Sequence, residues 1–322
     1  MIAVSCLIIT LGLYKALSMS AHDKSLKTTE EVALQILLLC QFGVGTFANV
    51  FLFVHNFFPI LTGSKQRPRQ VILSHIAVAN ALTLFITTFP NNMAFAPRSP
   101  QNDLKCKLEF FIRMVARSTG LCSTCVLSIH QFLTLVPVNR GKLILRTSVP
   151  NLVSYSCYSC WFFSVLNNIY IPIKVTGPQI TDSKNDSKSK LFCSTSGFNV
   201  GIVFLRFAHD ATFMSIMVWT SVSMVLLLHR HRQRMQYIFT LNQDHRSQAE
   251  TKATHTILML VVIFVSFYLL HFICIIFYTF FIYSHQFLRH CSEVLVVGFP
   301  TISPLLLIFR DPQGPCSVFF NC

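Results

Sequence analysis

Apolar residues along this chain fall into long unbroken runs rather than alternating with polar ones. Seven runs are long enough to cross about 30 Å of hydrocarbon as helices, which takes about 20 residues. They are Val32–Phe57, Val71–Phe95, Leu108–Val136, Leu152–Ile173, Val200–Leu228, Thr256–Tyr283 and Val294–Phe309. The last is the shortest and extends upstream through Cys291. Charged or turn-forming residues bound each run. Pro90, Pro172, Pro300 and Pro304 fall inside the spans, a placement that membrane helices tolerate better than soluble ones. The pattern predicts an all-α membrane protein, a bundle of seven transmembrane helices. Residues 32–309 form the bundle, 1–31 an extracellular N-terminal segment, and 310–322 a short cytoplasmic tail.

Composition agrees. Apolar residues make up 52% of the 322 and charged ones 12%, about half the charged share of an ordinary soluble domain. So little charge cannot cover a water-facing surface, and the implied partner is the lipid bilayer. The net charge of +14 would suggest nucleic acid on a soluble chain. Here the basic residues sit in short clusters between apolar runs, as membrane-flanking loops do, with no nucleic-acid-binding signature.

An eighth, weaker run, Met1–Leu17, reads as a signal peptide, a signal-anchor-like segment or an extracellular tail. The Lys/Arg balance barely decides orientation. Asn185-Asp186-Ser187 is an N-linked glycosylation sequon between the fourth and fifth spans, and its use would place that loop and the N-terminus outside the cell. Seven crossings then leave the C-terminus in the cytosol, a multi-pass plasma-membrane arrangement.

Several stretches carry a family resemblance. His75-Ile76-Ala77-Val78-Ala79-Asn80 is similar to HLAVAN, and span 5 ends in Met217-Val218-Trp219-Thr220-Ser221-Val222-Ser223-Met224-Val225, close to LWASGSMVF. It is followed by His229-Arg230-His231-Arg232-Gln233-Arg234-Met235-Gln236, close to HRHKQRVQ. Phe299-Pro300-Thr301-Ile302-Ser303-Pro304 and Arg310-Asp311-Pro312 match FPTxSP and RDP. Together these resemble the vomeronasal type-1 pheromone receptors, G-protein-coupled receptors of the rhodopsin-like kind, over about Gly43 to Pro312. Span 3 diverges: Ile112-Arg113-Met114-Val115-Ala116-Arg117 stands where the family has HRVGRG, and His130 replaces a Phe. The Asp-Arg-Tyr motif is absent.

The resemblance implies a small chemosensory ligand among the outer helix halves and a heterotrimeric G protein of the Gi/Go class inside, with receptor oligomers as a further option and no cofactor. It also implies a disulfide between Cys106 and Cys193. Charged residues inside a span face a cavity or a partner. Glu109, Arg113 and Arg117 recur along one stripe of span 3, and Arg206, His209 and Asp210 lie in the outer half of span 5. Two readings stay open for them: a ligand pocket, or structural links from Glu109 to Arg113 and from Arg117 to Asp210. His75, His130 and His271 read as packing residues. Cys122, Cys125, Cys157 and Cys160 read as small packing side chains rather than a metal site, since thiolates in lipid are costly. Arg230, Arg232 and Arg234 close span 5 as the surface expected to meet the G protein, and Cys316 and Cys322 are candidates for palmitoylation. Motifs for phosphate-cradling loops, zinc peptidases and serine hydrolases are absent, so an enzyme is not expected. Two other readings survive: a non-signalling partner of other receptors, and a solute transporter, for which no two-fold repeat is visible.

Overall fold

A computed structural model describes residues 24–61, 67–88, 103–136, 143–176, 194–195, 200–237, 245–280 and 285–310. Seven long helices account for most of them: α1 Lys24–Leu61, α2 Pro68–Thr88, α3 Asp103–Leu135, α4 Leu143–Asn168, α5 Val200–Tyr237, α6 His245–Phe280 and α7 His285–Arg310. Six contain stretches long and apolar enough to cross a membrane: Ile36–Pro59, Pro68–Thr88, Asp103–Leu135, Phe207–Arg230, Thr254–Cys274 and Cys291–Phe309. A helix suits that medium because it satisfies its backbone polar groups internally. Most helices overrun the apolar runs of the sequence, since the hydrogen-bond ladder continues into polar flanks that hydropathy does not mark. The start of α3 and the start of α7 share one end of the bundle with the end of α6; this is called the Cys106 end below.

Two boundaries differ from expectation. The fourth helix stops at Asn168, and Pro172 belongs to a separate helical turn, Ile171–Lys174, in its first two positions. Proline is accepted there because the first turn needs no backbone N–H from it. The second helix ends at Thr88, ahead of Pro90, and residues 89–95 lie outside the described ones. Val175–Thr176 then pairs antiparallel with Ser194–Thr195, Val175 opposite Thr195. This small ribbon lies against α3, where Ile171 and Val175 bury Cys106 among Phe110, Phe111 and Met114.

In the bundle α3 is central, packing against α2, α4, α5 and α6, while α1 meets α2 and α7, and α6 meets α7. Large apolar side chains point outward: Phe47 is 76% exposed, Tyr155 71% and Trp219 64%. Polar ones turn inward, with Asn49, Asn80, Ser123, Thr124, Ser128 and Ser303 all buried. A protein in water would gain by the reverse arrangement, so the surface itself identifies lipid as the surrounding solvent.

Two of the four cysteines on α3 and α4 correct the packing expectation. Cys122 of α3 and Cys160 of α4 are joined in a disulfide, with Cα atoms 5.7 Å apart, while Cys125 and Cys157 are free and buried. Spacing within one helix marks which thiols share a face; it does not say which face of another helix they meet.

Candidate functional site

The candidate site is a cavity of ≈ 60 Å³ between α2, α3, α6 and α7. Arg117, Tyr268 and His271 mark its polar side, Phe264, Phe267 and Phe299 its aromatic wall, and Asn80 and Pro300 its floor. Gly298 stands behind one wall of the cavity. A β-carbon there would collide with the ring of Phe267, so glycine is what lets that ring come so close to α7.

A continuous polar chain runs beside the cavity through four helices. Arg117 Nη1 lies 3.1 Å from His271 Nε2. A guanidinium only donates, so Nε2 accepts, and the ring proton belongs on Nδ1. There it meets Ser292 Oγ of α7 at 3.0 Å. The Arg117 guanidinium also stands over the Tyr268 ring, 5.0 Å from its centroid, a cation–π arrangement. The Tyr268 hydroxyl donates to Asp210 Oδ2, and His209 Nδ1 holds the other carboxylate oxygen at 3.2 Å. Asp210 is 5% exposed and His271 7%; burying such groups is tolerated only when they are hydrogen-bonded.

Of the sequence-predicted residues, Arg117, Asp210 and His209 meet in this network. The link from Arg117 to Asp210 passes through Tyr268. Glu109 pairs with Lys105 of its own helix at 3.8 Å instead of with Arg113, which covers the Phe110 ring at 4.7 Å. The backbone of Arg206 lies in α5, but its side chain, like those of Arg232 and Arg234, is outside the described residues. Arg230 is exposed. Cys106 is disulfide-bonded; Cys193 and Asn185 lie outside the described residues, as do Met1–Leu17, Cys316 and Cys322.

Tyr268 and His271 are the members that sequence reasoning passed over, the first not singled out and the second taken as packing. The available signal was register: both sit on the α6 face that also carries Phe264 and Phe267. His75 does act as a packing residue, its Nδ1 accepting the indole N–H of Trp161 at 3.1 Å.

Deeper in the bundle lies a second, neutral cluster. Pro304 has no N–H to offer the carbonyl of Pro300 one turn back, and Asn49 Nδ2 takes its place at 2.9 Å. The same amide reaches Gly45 O at 2.8 Å. Asn80 Nδ2 donates to Ser303 Oγ at 3.0 Å.

A family model described as the vomeronasal organ pheromone receptor family matches residues 32–315. The chain is 33% identical to vomeronasal type-1 receptor 4 of Homo sapiens over 283 residues, 86% of this chain and 94% of that one. Human vomeronasal type-1 receptor 2 is 32% identical over 306 residues, 93% of this chain and 77% of that protein. Vomeronasal type-1 receptor 90 of Rattus norvegicus is 27% identical over 288 residues, 86% and 90% of the two chains.

Proposed function

This chain belongs to the vomeronasal organ pheromone receptor family, and from that premise we propose how it works: a small ligand enters the Arg117–Tyr268–His271 cavity and the opposite face stimulates nucleotide exchange on a Gi/Go-class G protein. The family is one of chemosensory G-protein-coupled receptors and not of enzymes. The observation that carries the ligand site is the chain from Ser292 through His271, Arg117 and Tyr268 to Asp210, which ties α3, α5, α6 and α7 together beside a cavity. A ligand taking one hydrogen bond from Arg117 competes with its partners and shifts the balance between helix packings, as differential affinity for two states requires.

In this reading the chain crosses the bilayer seven times. The Cys106 end faces outward, with a Cys106–Cys193 disulfide and a glycan on Asn185. The ribbon supports that pairing, because its second strand starts one residue after Cys193 while its first packs on Cys106. Arg230, Arg232 and Arg234 then meet the anionic inner leaflet and the G protein, and Arg206 joins the outer part of the site.

The test is GTP loading on purified Go, with the full chain in membranes exposed to a panel of small volatile and polar odorants. An active compound is expected to lose potency about 10–100-fold in Arg117→Met, the worth of one or two hydrogen bonds to a charged group. Absence of stimulated loading across the panel, with the receptor folded and present, would overturn the signalling claim. Glycosidase sensitivity of Asn185 and antibody access to tags at both termini decide the orientation separately.

A further inference from the structure

The cavity beside the polar chain is charged in one sense only. Among the described residues that line it, Arg117 is the one permanently ionised side chain and none is acidic. Asp210, the acid of α5, stands outside it, one carboxylate oxygen taking the Tyr268 hydroxyl and the other facing His209. Glu293, the acid of α7, does not line it either. Arg117 is half-buried, whereas Asp210 and His271 are buried. A guanidinium carries several N–H donors; among the described residues Arg117 gives one to His271 and otherwise lies over the Tyr268 ring. The other polar groups of the lining are directed into the protein. Asn80 donates to Ser303, Thr83 to the carbonyl of Ala79, and Tyr268 to Asp210, while both His271 nitrogens are engaged by Arg117 and Ser292. Donation into the cavity therefore falls to Arg117.

We propose that the cavity selects a small carboxylate, held end-on by Arg117 with its hydrocarbon body against Phe264, Phe267 and Phe299; this rests on the reading of the cavity as the ligand site. Guanidinium and carboxylate are both planar and pair as a fork, through two parallel charge-assisted hydrogen bonds. A neutral carbonyl gains no such charge term, and an ammonium would meet a like charge where little water screens it. Burying a carboxylate is tolerable only when it is both paired and hydrogen-bonded, and Arg117 supplies the two together. Size narrows the class further. At ≈ 60 Å³ the cavity is far below the roughly 300 Å³ at which pockets for drug-sized ligands begin, so the occupant is a short-chain acid rather than a fused-ring one. The positive sign also continues toward the Cys106 end. Arg113 stands one turn along α3, and the acid of that stripe, Glu109, is paired with Lys105.

The experiment follows thermal unfolding of the full chain in lipid nanodiscs, titrated with sodium isovalerate, isovaleramide and isoamylammonium chloride. These share one carbon skeleton, and sodium chloride is the ionic control. Stabilisation grows with ligand concentration over Kd, so each titration reads an affinity. Isovalerate is expected to bind about 10-fold tighter than isovaleramide, the difference between a charge-assisted and a neutral hydrogen bond. The ammonium and the control salt should give no saturable shift. Arg117→Gln keeps a donor but removes the charge, and should level the acid with the amide. Asp210→Asn keeps an acceptor for Tyr268 while removing the nearby negative charge, and should tighten isovalerate. Equal affinity for acid and amide, tighter binding of the ammonium, an acid shift no larger than that of sodium chloride, or a preference that survives Arg117→Gln would each overturn the proposal. If Arg117→Gln does not fold, the parent titrations and Asp210→Asn still decide. Saturable acid binding without stimulated nucleotide exchange would sink the signalling claim and leave this one standing; exchange driven by neutral odorants with no preference for the acid would do the reverse.

Discussion

The bundle holds two polar clusters, and they are built on opposite terms. The deeper one, around Asn49 and Asn80, is neutral and reaches the cavity only at its floor: its amides donate to a backbone carbonyl and a serine hydroxyl within packed helices. The one toward the Cys106 end contains a cation, a carboxylate and two histidines spread over four helices, with a cavity alongside. Neutral hydrogen bonds between membrane helices are worth about 0.6 kcal/mol on average, up to about 1.7, enough to fix a register and little more. A buried ionic chain is worth more when complete and costs far more when interrupted. The first cluster suits a hinge that stays packed. The second suits a site whose occupancy changes the balance between states, because one competing ligand can unbalance several groups at once.

The contrast breaks most severely at Asp210. Asp210→Ala removes the acceptor shared by Tyr268 and His209 and leaves Arg117 without the carboxylate at the far side of the ring. With hydrogen bonds to charged groups worth about 1.5–3 kcal/mol each, a loss of about 2–4 kcal/mol is expected. Thermal unfolding in detergent, followed by the reactivity of the buried Cys125 and Cys157 thiols, measures it. If Asp210→Ala unfolds at the temperature of the parent, the ionic chain is a coincidence of side chains and the difference between the clusters disappears.

Gly298 backs Phe267, part of the aromatic wall of the cavity. Gly298→Ala forces that ring away from α7 and reshapes the wall; overpacking of this kind costs about 1–3 kcal/mol. Gly43→Ala is the matched control, since a β-carbon there meets nothing within 4 Å, and it should stabilise its helix by about 0.5–1 kcal/mol. The pair separates the reshaped wall from the general effect of replacing a helical glycine. In an odorant-stimulated assay only Gly298→Ala should reduce the response, and equal behaviour of the two would remove the cavity from the account.

Much of this was legible in the sequence, for reasons that also explain the rest. Length and polarity of the apolar runs reveal helices that lipid surrounds, but not where a helix ends once it leaves lipid: α4 stops at Asn168 because a proline turn begins just beyond. Charges within spans stand out because they are expensive there, so Arg117, His209 and Asp210 could be picked in advance. Tyr268 could not, since a tyrosine costs little in a membrane and its role comes from the partners it joins. The Cys122–Cys160 bridge was hidden in the same way. Helical spacing gives the face of one helix, whereas a bond between two depends on how they are rotated against each other. Pro304 was visible as a motif, but the carbonyl it leaves for Asn49 appears only when α1 is seen to pack on α7.

That last pair gives the smallest expected effect and the sharpest check on the neutral cluster. Asn49→Ala withdraws the donor that replaces the missing N–H of Pro304, leaving the Pro300 carbonyl without it. The cost should be about 0.6–1.7 kcal/mol, below that of Asp210→Ala in the same unfolding assay. Replacing Pro304 by Ala restores an N–H to the helix, so the carbonyl no longer depends on Asn49. In the Pro304→Ala background the Asn49→Ala penalty should therefore shrink toward the part owed to Gly45 alone, a coupling that a double-mutant cycle reads directly. Equal penalties in both backgrounds would mean that the asparagine holds α1 by packing, and that the deeper cluster owes nothing to the proline.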